Sequence, residues 1–302
     1  MKKLTLQDNS VSTFSAPPRH EHWDLILQPK VSVFDLQLRE VWRYRDLLWL
    51  FVRRDFVAQY RQTVLGFLWH VIQPLLTTLM FLLVFGRIAN IDTDGVRPPL
   101  LFYMAGITVW NYFSACLTGT STVFVTNAAI FGKVYFPRLV LPLSVALSNI
   151  IRFGIQFGLL LAFMIYFAFK GHPIHLSWSW LAIPVLVLMM AVLALGLGII
   201  ISAMTTKYRD LSVLMTFAIQ LAVYVTPIGY PLSYLKQHHA SYVWIINTNP
   251  VTSIVEAFRY VIFGKGTLDF SGLAYSLGFA IASLIIGIVI FNKVEKTFMD
   301  TV

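Results

Sequence analysis

Two Gly-Lys pairs, Gly132-Lys133 and Gly264-Lys265, are where this chain could cradle a nucleotide phosphate. A phosphate loop needs another glycine five residues upstream, because the backbone N–H groups of that turn hold the phosphates. Asn127 and Arg259 stand at those positions, so there is no P-loop. The seven histidines form no H-E-x-x-H, and His238-His239 sits in a polar stretch. Adjacent side chains on a helix do not face each other, which makes that pair a poor metal clamp. The long apolar segments hold no Asp or Glu, so a proton or sodium relay has no carboxylate to use. What they do hold is His70, Gln73, Asn111, Asn149, Arg152, Gln156 and Gln220. Hydrogen bonding between helices, at about 0.6–2 kcal/mol per bond, accounts for the amides. Arg152 is different. A cation inside a span is costly, so it must reach an interface or face a wet cavity.

The elements that carry these residues are membrane helices. Of 302 residues, 57% are hydrophobic and 12% charged, against roughly 25% charged in a soluble domain. The apolar residues fall into long blocks, so the bilayer suits them better than water. Six segments approach or exceed the roughly 20 residues that a crossing helix requires: 64–85, 100–125, 141–169, 178–204, 211–230 and 271–291. Residues 1–33, with Pro17, Pro18 and Pro29, read as a cytoplasmic tail. Residues 34–62 read as an amphipathic helix lying in the interface. Its apolar face carries Trp42 and Trp49 and its polar face Arg39, Arg43 and Arg53. Residues 63–302 then form a six-helix transmembrane domain. The fold class is all-α.

The net charge of +9 could suggest nucleic acid, but the basic residues flank apolar spans and form no soluble face. Anionic lipid headgroups are the better partner. Sixteen Lys and Arg fall in the N-terminal segment, the even-numbered connections and the C-terminal tail, and six fall on the other side. The richer side marks the cytoplasm, which places both termini on the cytoplasmic side of the membrane. The single cysteine, Cys116, lies within a span and makes no intrachain disulfide.

The connection between spans five and six is unusual. Residues 231–267 contain a 13-residue apolar run, 251–263, too short to span and too apolar for a free loop. A re-entrant hairpin on the outer face fits. Glu256 and Arg259, one turn apart, can pair along it and are candidates for an outer gate. Aromatic residues make up 15% of the chain. Tyr103, Trp110, Tyr112, Phe113, Tyr224 and Tyr230 could line a passage, since aromatic faces stack on sugars with little directional demand. The ordinary aromatic belt is the competing reading.

Five stretches, in order, resemble one family. Residues 49–75, WLFVRRDFVAQYRQTVLGFLWHVIQPL, place Arg53, Arg54, Tyr60 and Arg61 immediately before a span. Residues 130–143, IFGKVYFPRLVLPL, form a basic turn punctuated by proline. Tyr208-Arg209-Asp210-Leu211 follows span four, Thr226-Pro227-Ile228-Gly229-Tyr230-Pro231 ends span five, and Asn249-Pro250-Val251-Thr252-Ser253-Ile254 opens the hairpin. Together they resemble the type-2 ABC permeases that export bacterial polysaccharides such as O-antigen, capsule and teichoic acid. The likeness runs from about Phe34 to the C-terminus.

The resemblance implies a homodimer of permeases, two separate ATP-binding cassette subunits, and a lipid-linked polysaccharide passing between the permeases. ATP and Mg would belong to the partner; this chain would need no cofactor. It also implies a coupling helix around Lys133, Tyr135, Phe136 and Arg138, with Arg209 and Asp210 near the same partner. The basic turn supports this, because Pro137 disfavours continuation of a helix before it. A drug or small-lipid exporter of the same superfamily is the nearer alternative, and Y-R-Q-T-x-L-G argues against it. A membrane-embedded transferase is more distant: Glu256, His238 and His239 are its outer-face candidates and form no constellation.

Overall fold

The computed structural model describes residues 38–60, 65–131, 136–172, 177–205, 208 and 210–298. The N-terminal tail, Arg61, Lys133, Tyr135 and Arg209 lie outside the described residues, as does the side chain of Tyr60. The described chain is helical, with no strand among the described residues. Two helices open it, α1 (Leu38–Arg43) and α2 (Arg45–Tyr60). The long ones follow: α3 (Trp69–Phe81), continued by a π-helical stretch to Ile88, then α4 (Pro99–Ser121), α5 (Val140–Phe169) and α6 (Ile183–Thr205). After α7 (Asp210–Val225) come two short helices, α8 (Leu232–His238) and α9 (Val243–Thr248). Helices α10 (Pro250–Phe263) and α11 (Phe270–Phe298) complete the fold.

Helix α4 is the centre. It is buried along most of its length, with α3, α5 and α6 against it and α11 packed along α6. Among helices that lipid could solvate as well as protein can, close backbone approach and van der Waals packing hold the contact. The α6–α11 seam shows how. A Cβ at Gly196 would sit 2.6 Å from the backbone nitrogen of Leu284, and one at Gly287 would sit 2.9 Å from the carbonyl oxygen of Gly196. Only glycine allows these two helices to lie so close.

Among the described residues, five helices are long and apolar enough to cross a membrane: Trp69–Ile88, Pro99–Ser121, Val140–Phe169, Trp178–Thr205 and Phe270–Phe291. They correspond to five of the six expected spans. The expected span 211–230 is a 16-residue helix, α7, about 24 Å long at 1.5 Å per residue. It stops because Pro227 has no N–H with which to continue the ladder. The N–H of Ile228 turns back to Thr226 O at 2.7 Å instead.

The expected amphipathic helix is divided at Tyr44 into α1 and α2, with i→i−4 bonds from Tyr44 N to Glu40 O and from Leu48 N to Tyr44 O, each 3.0 Å, running through the junction. Phe51 and Val52 of α2 are buried against the protein, whereas Trp42 and Trp49 are 71% and 61% exposed. The residues expected to form a hairpin, 231–267, hold α8, α9 and α10. Helix α10 reads directly from its sequence. Asn249 accepts from Val251 N at 3.0 Å as N-cap, Pro250 occupies the first turn, and Gly264 ends the helix at φ 64°. Its apolar residues are covered by the chain itself, since α10 packs on α4, α6 and α11. Asp269 starts α11 in the same manner. It accepts from the N–H and hydroxyl of Ser271 at 3.0 and 2.6 Å, and these bonds hold its carboxyl below the ordinary range.

Candidate functional site

Glu256 and Arg259 are buried together on α10, 6% and 2% exposed. Arg259 Nη1 donates to Glu256 Oε1 at 3.2 Å and to the carbonyl of Pro227 at 2.6 Å. Its Nη2 donates to the carbonyl of Ile228 at 2.7 Å. The guanidinium carbon lies 3.6 Å from the centre of the Phe102 ring, and Gly106 leaves the room, because a Cβ there would strike Nη2. One cation thus satisfies a carboxylate and the two backbone carbonyls of Pro227 and Ile228, just beyond the end of α7, while an aromatic face screens it. Polar contacts extend the lock: Asn249 Nδ2 donates to Thr226 Oγ1 at 3.0 Å, Ser233 to Asp94, and Lys265 to the Gly95 carbonyl. The sequence pointed to the pair; it gave no signal for the carbonyls or for Phe102.

The six aromatic candidates do not share one surface. Tyr103, Trp110, Tyr112 and Phe113 of α4 are all buried within this chain, and Tyr103 has no exposure. Trp110 and Phe113 nonetheless border an apolar groove of about 530 Å³ with Met215, Ile219 and Ala222 of α7. Tyr224 is exposed, and Tyr230 donates to its carbonyl at 3.0 Å.

At the opposite end of the helices, Phe136 is 4% exposed and meets Phe51 of α2 at 5.7 Å between ring centres. It holds the turn to α2. Arg138 is half-buried, and Asp210 is exposed at the start of α7. Arg54 bridges Asp55 and Asn127, the latter at 3.1 Å, with its guanidinium over Phe51. Arg53 is exposed beside it. The contact of Asn127 with Arg54 left no signal in the sequence, because the two lie 73 residues apart.

A third cluster lies inside the bundle. His70 and Gln73 of α3, Asn111 of α4, and Asn149, Arg152 and Gln156 of α5 surround a cavity of about 200 Å³. Arg152 Nη1 donates to Asn149 Oδ1 at 3.0 Å, and Asn111 Nδ2 to Gln156 Oε1 at 3.2 Å. Six of the seven intramembrane polar residues that the sequence marks therefore converge. Gln220, on α7, does not line this cavity.

Residues 46–263 match the ABC-2 type transporter family. An O-antigen export system permease protein RfbA from Klebsiella pneumoniae is 29% identical over 256 residues, covering 84% of this chain and 94% of that protein. A protein of the same name from Myxococcus xanthus is 27% identical over 266 residues, 88% of this chain and 98% of its own length.

Proposed function

Because the chain belongs to the ABC-2 type transporter family, we propose that it is the permease subunit of an exporter moving lipid-linked polysaccharide of O-antigen type across the cytoplasmic membrane. The observation that carries this reading is the near end-to-end likeness to proteins named O-antigen export system permease. The chain is a multi-pass transport subunit, and the missing P-loop supports the reading that ATP hydrolysis, with its Mg, belongs to a partner.

In this reading two copies form a homodimer and two ATP-binding cassette subunits dock on the cytoplasmic side. Lys133, Tyr135, Arg138, Arg209 and Asp210 face that partner, while Phe136 anchors the segment through Phe51. The excess of basic residues puts both termini in the cytoplasm. Helices α1 and α2 lie in the interface, where exposed Trp42 and Trp49 suit the headgroup layer. Helix α7 with residues 226–230 makes the sixth crossing, and α8–α10 form the outer hairpin with Glu256–Arg259 as its gate. The aromatics bordering the groove beside α7, together with Tyr224 and Tyr230, contribute to the passage that the second copy completes.

Deleting the gene tests the export. The expected result is a glycan trapped on the cytoplasmic face and absent from the cell surface; unchanged surface glycan would overturn the proposal. Purified permease free of partners is expected to hydrolyse no ATP, and activity surviving rigorous purification would refute the division of labour.

A further inference from the structure

Among the described residues, the polar cavity between α3, α4 and α5 is more than a set of interhelical bonds. Two helices can be joined by amides alone, as Asn111 and Gln156 are. An arginine is not needed for that, and inside a span it carries a real cost. The cavity is also roomy: about 200 Å³, where one water needs roughly 10–15 Å³. Its lining holds one guanidinium, one imidazole and four side-chain amides, with no Asp or Glu. That set donates hydrogen bonds to an anion and exchanges them with hydroxyls. A guanidinium presents a planar fork of donors matched to phosphate oxygens. Side-chain amides, each with two donors and an acceptor, suit sugar hydroxyls.

The mouth distinguishes a lipid from a soluble anion. Trp69 lines the cavity and is 47% exposed, and Gln73 is exposed on the same turn. Leu76 of α3 and Ile151 of α5, neighbours of the lining residues in sequence, are exposed large hydrophobics. A phosphate arriving here would bring an apolar chain along those side chains. The cavity lies at the start of α3, close along the chain to α2.

We propose that this cavity binds the phosphate joining a lipid carrier to its glycan, with Arg152 on the phosphate and Gln73, Asn111 and Gln156 on the adjoining sugar. The identity of the lipid rests on the export reading; the phosphate chemistry rests on the cavity. An ordinary phospholipid headgroup offers the same phosphate, so the test must separate the two.

Purified permease in neutral detergent is titrated with dodecyl phosphate, dodecanol and dioctanoyl phosphatidylglycerol, and bound adducts are counted by native mass spectrometry. One saturable dodecyl phosphate per chain is expected, with no dodecanol adduct and at least ten-fold weaker phosphatidylglycerol binding. R152Q is expected to weaken dodecyl phosphate binding at least ten-fold and R152K to recover part of it. Q73L alters an exposed side chain and keeps the Arg152–Asn149 and Asn111–Gln156 bonds. With a dodecyl phosphohexose as a fourth probe, it is expected to weaken binding of the sugar-bearing lipid more than that of dodecyl phosphate. Equal binding of phosphatidylglycerol, or a phosphate adduct that R152Q leaves intact, would overturn the proposal. Absence of the phosphate adduct in a permease whose deletion traps glycan inside cells would remove this site and leave the export reading standing.

Discussion

Arg259 of α10 stacks its guanidinium 3.6 Å from the centre of the Phe102 ring of α4. The same side chain holds the Pro227 and Ile228 carbonyls at 2.6 and 2.7 Å, so α4, α10 and the end of α7 meet at one cation. Removing one partner of a buried pair costs more than the pair contributes, because the other charge is left in the interior. R259M strands Glu256 and two carbonyls and is expected to cost about 3–5 kcal/mol. R259K keeps the charge but loses the planar fork and is expected to fall between R259M and wild type. E256Q leaves the guanidinium on its carbonyls and its ring and is expected to cost least. Melting temperatures in detergent should rank E256Q above R259K above R259M; the reverse order would mean that the carboxylate, not the carbonyl bridge, holds the lock.

The basic turn before α5 separates folding from coupling. Phe136 is buried on Phe51, and F136A is expected to destabilise the permease by about 3–5 kcal/mol, as for other buried phenylalanines. Reversing both charges with K133E and R138E should leave the permease folded. It should nonetheless detach the ATPase, or abolish transport-linked hydrolysis, in a co-purified complex. A folded double variant with a normal complex and normal export would remove these residues from the interface.

Much of this architecture is legible in the sequence because the bilayer imposes long apolar blocks, and block length needs no tertiary information. Helix α10 is legible as well: Asn249, Pro250 and Gly264 are local signals acting on their own backbone. The surroundings of Arg259 were not. Its partners Phe102, Pro227 and Ile228 lie far off in the chain, and backbone carbonyls leave no mark in a sequence. Phe136 reads as part of a basic turn, yet only packing reveals that it faces Phe51. The polar cavity shows both sides. Each of its residues stands out within an apolar span, but their convergence depends on the helical phases of α3, α4 and α5, which a one-dimensional pattern does not relate.

The α6–α11 seam predicts a sharp contrast between glycines. A Cβ at Gly196 meets backbone at 2.6 Å, whereas nothing lies within 4 Å of one at Gly154. Backbone cannot rotate aside as a side chain can, so G196L forces the helices apart. Overpacking of a core ordinarily costs about 1–3 kcal/mol, and G196L is expected at or beyond the top of that range. G154L is expected to express and melt like wild type. Size-exclusion profiles and melting curves of the two proteins check this, and equal behaviour would mean that the seam is looser than its geometry.

The placement of α10 yields the last prediction. Thirteen largely apolar residues from 251 to 263 were expected to bury themselves in the outer leaflet, and the chain covers most of them itself. Ser253, Tyr260 and Phe263 are half-buried, whereas 254–259 are buried throughout. At 3.6 residues per turn a spacing of seven returns to within about 20° and a spacing of ten to within about 80° of the starting direction, so the half-buried positions fall on one side of the helix. With Cys116 replaced by alanine, single cysteines at 253, 260 and 263 are expected to react with an impermeant thiol reagent added outside intact cells. Cysteines at 254, 255 and 258 are expected to stay silent until the protein is denatured. Positions 264–267 are exposed and should label fastest, since they carry the chain from α10 toward α11. Reaction only after the inner face is opened would invert the orientation argued from basic residues. Uniform reaction from 251 to 263 would mean that α10 leaves its seat on α4, and with it the contact that Arg259 makes to Pro227.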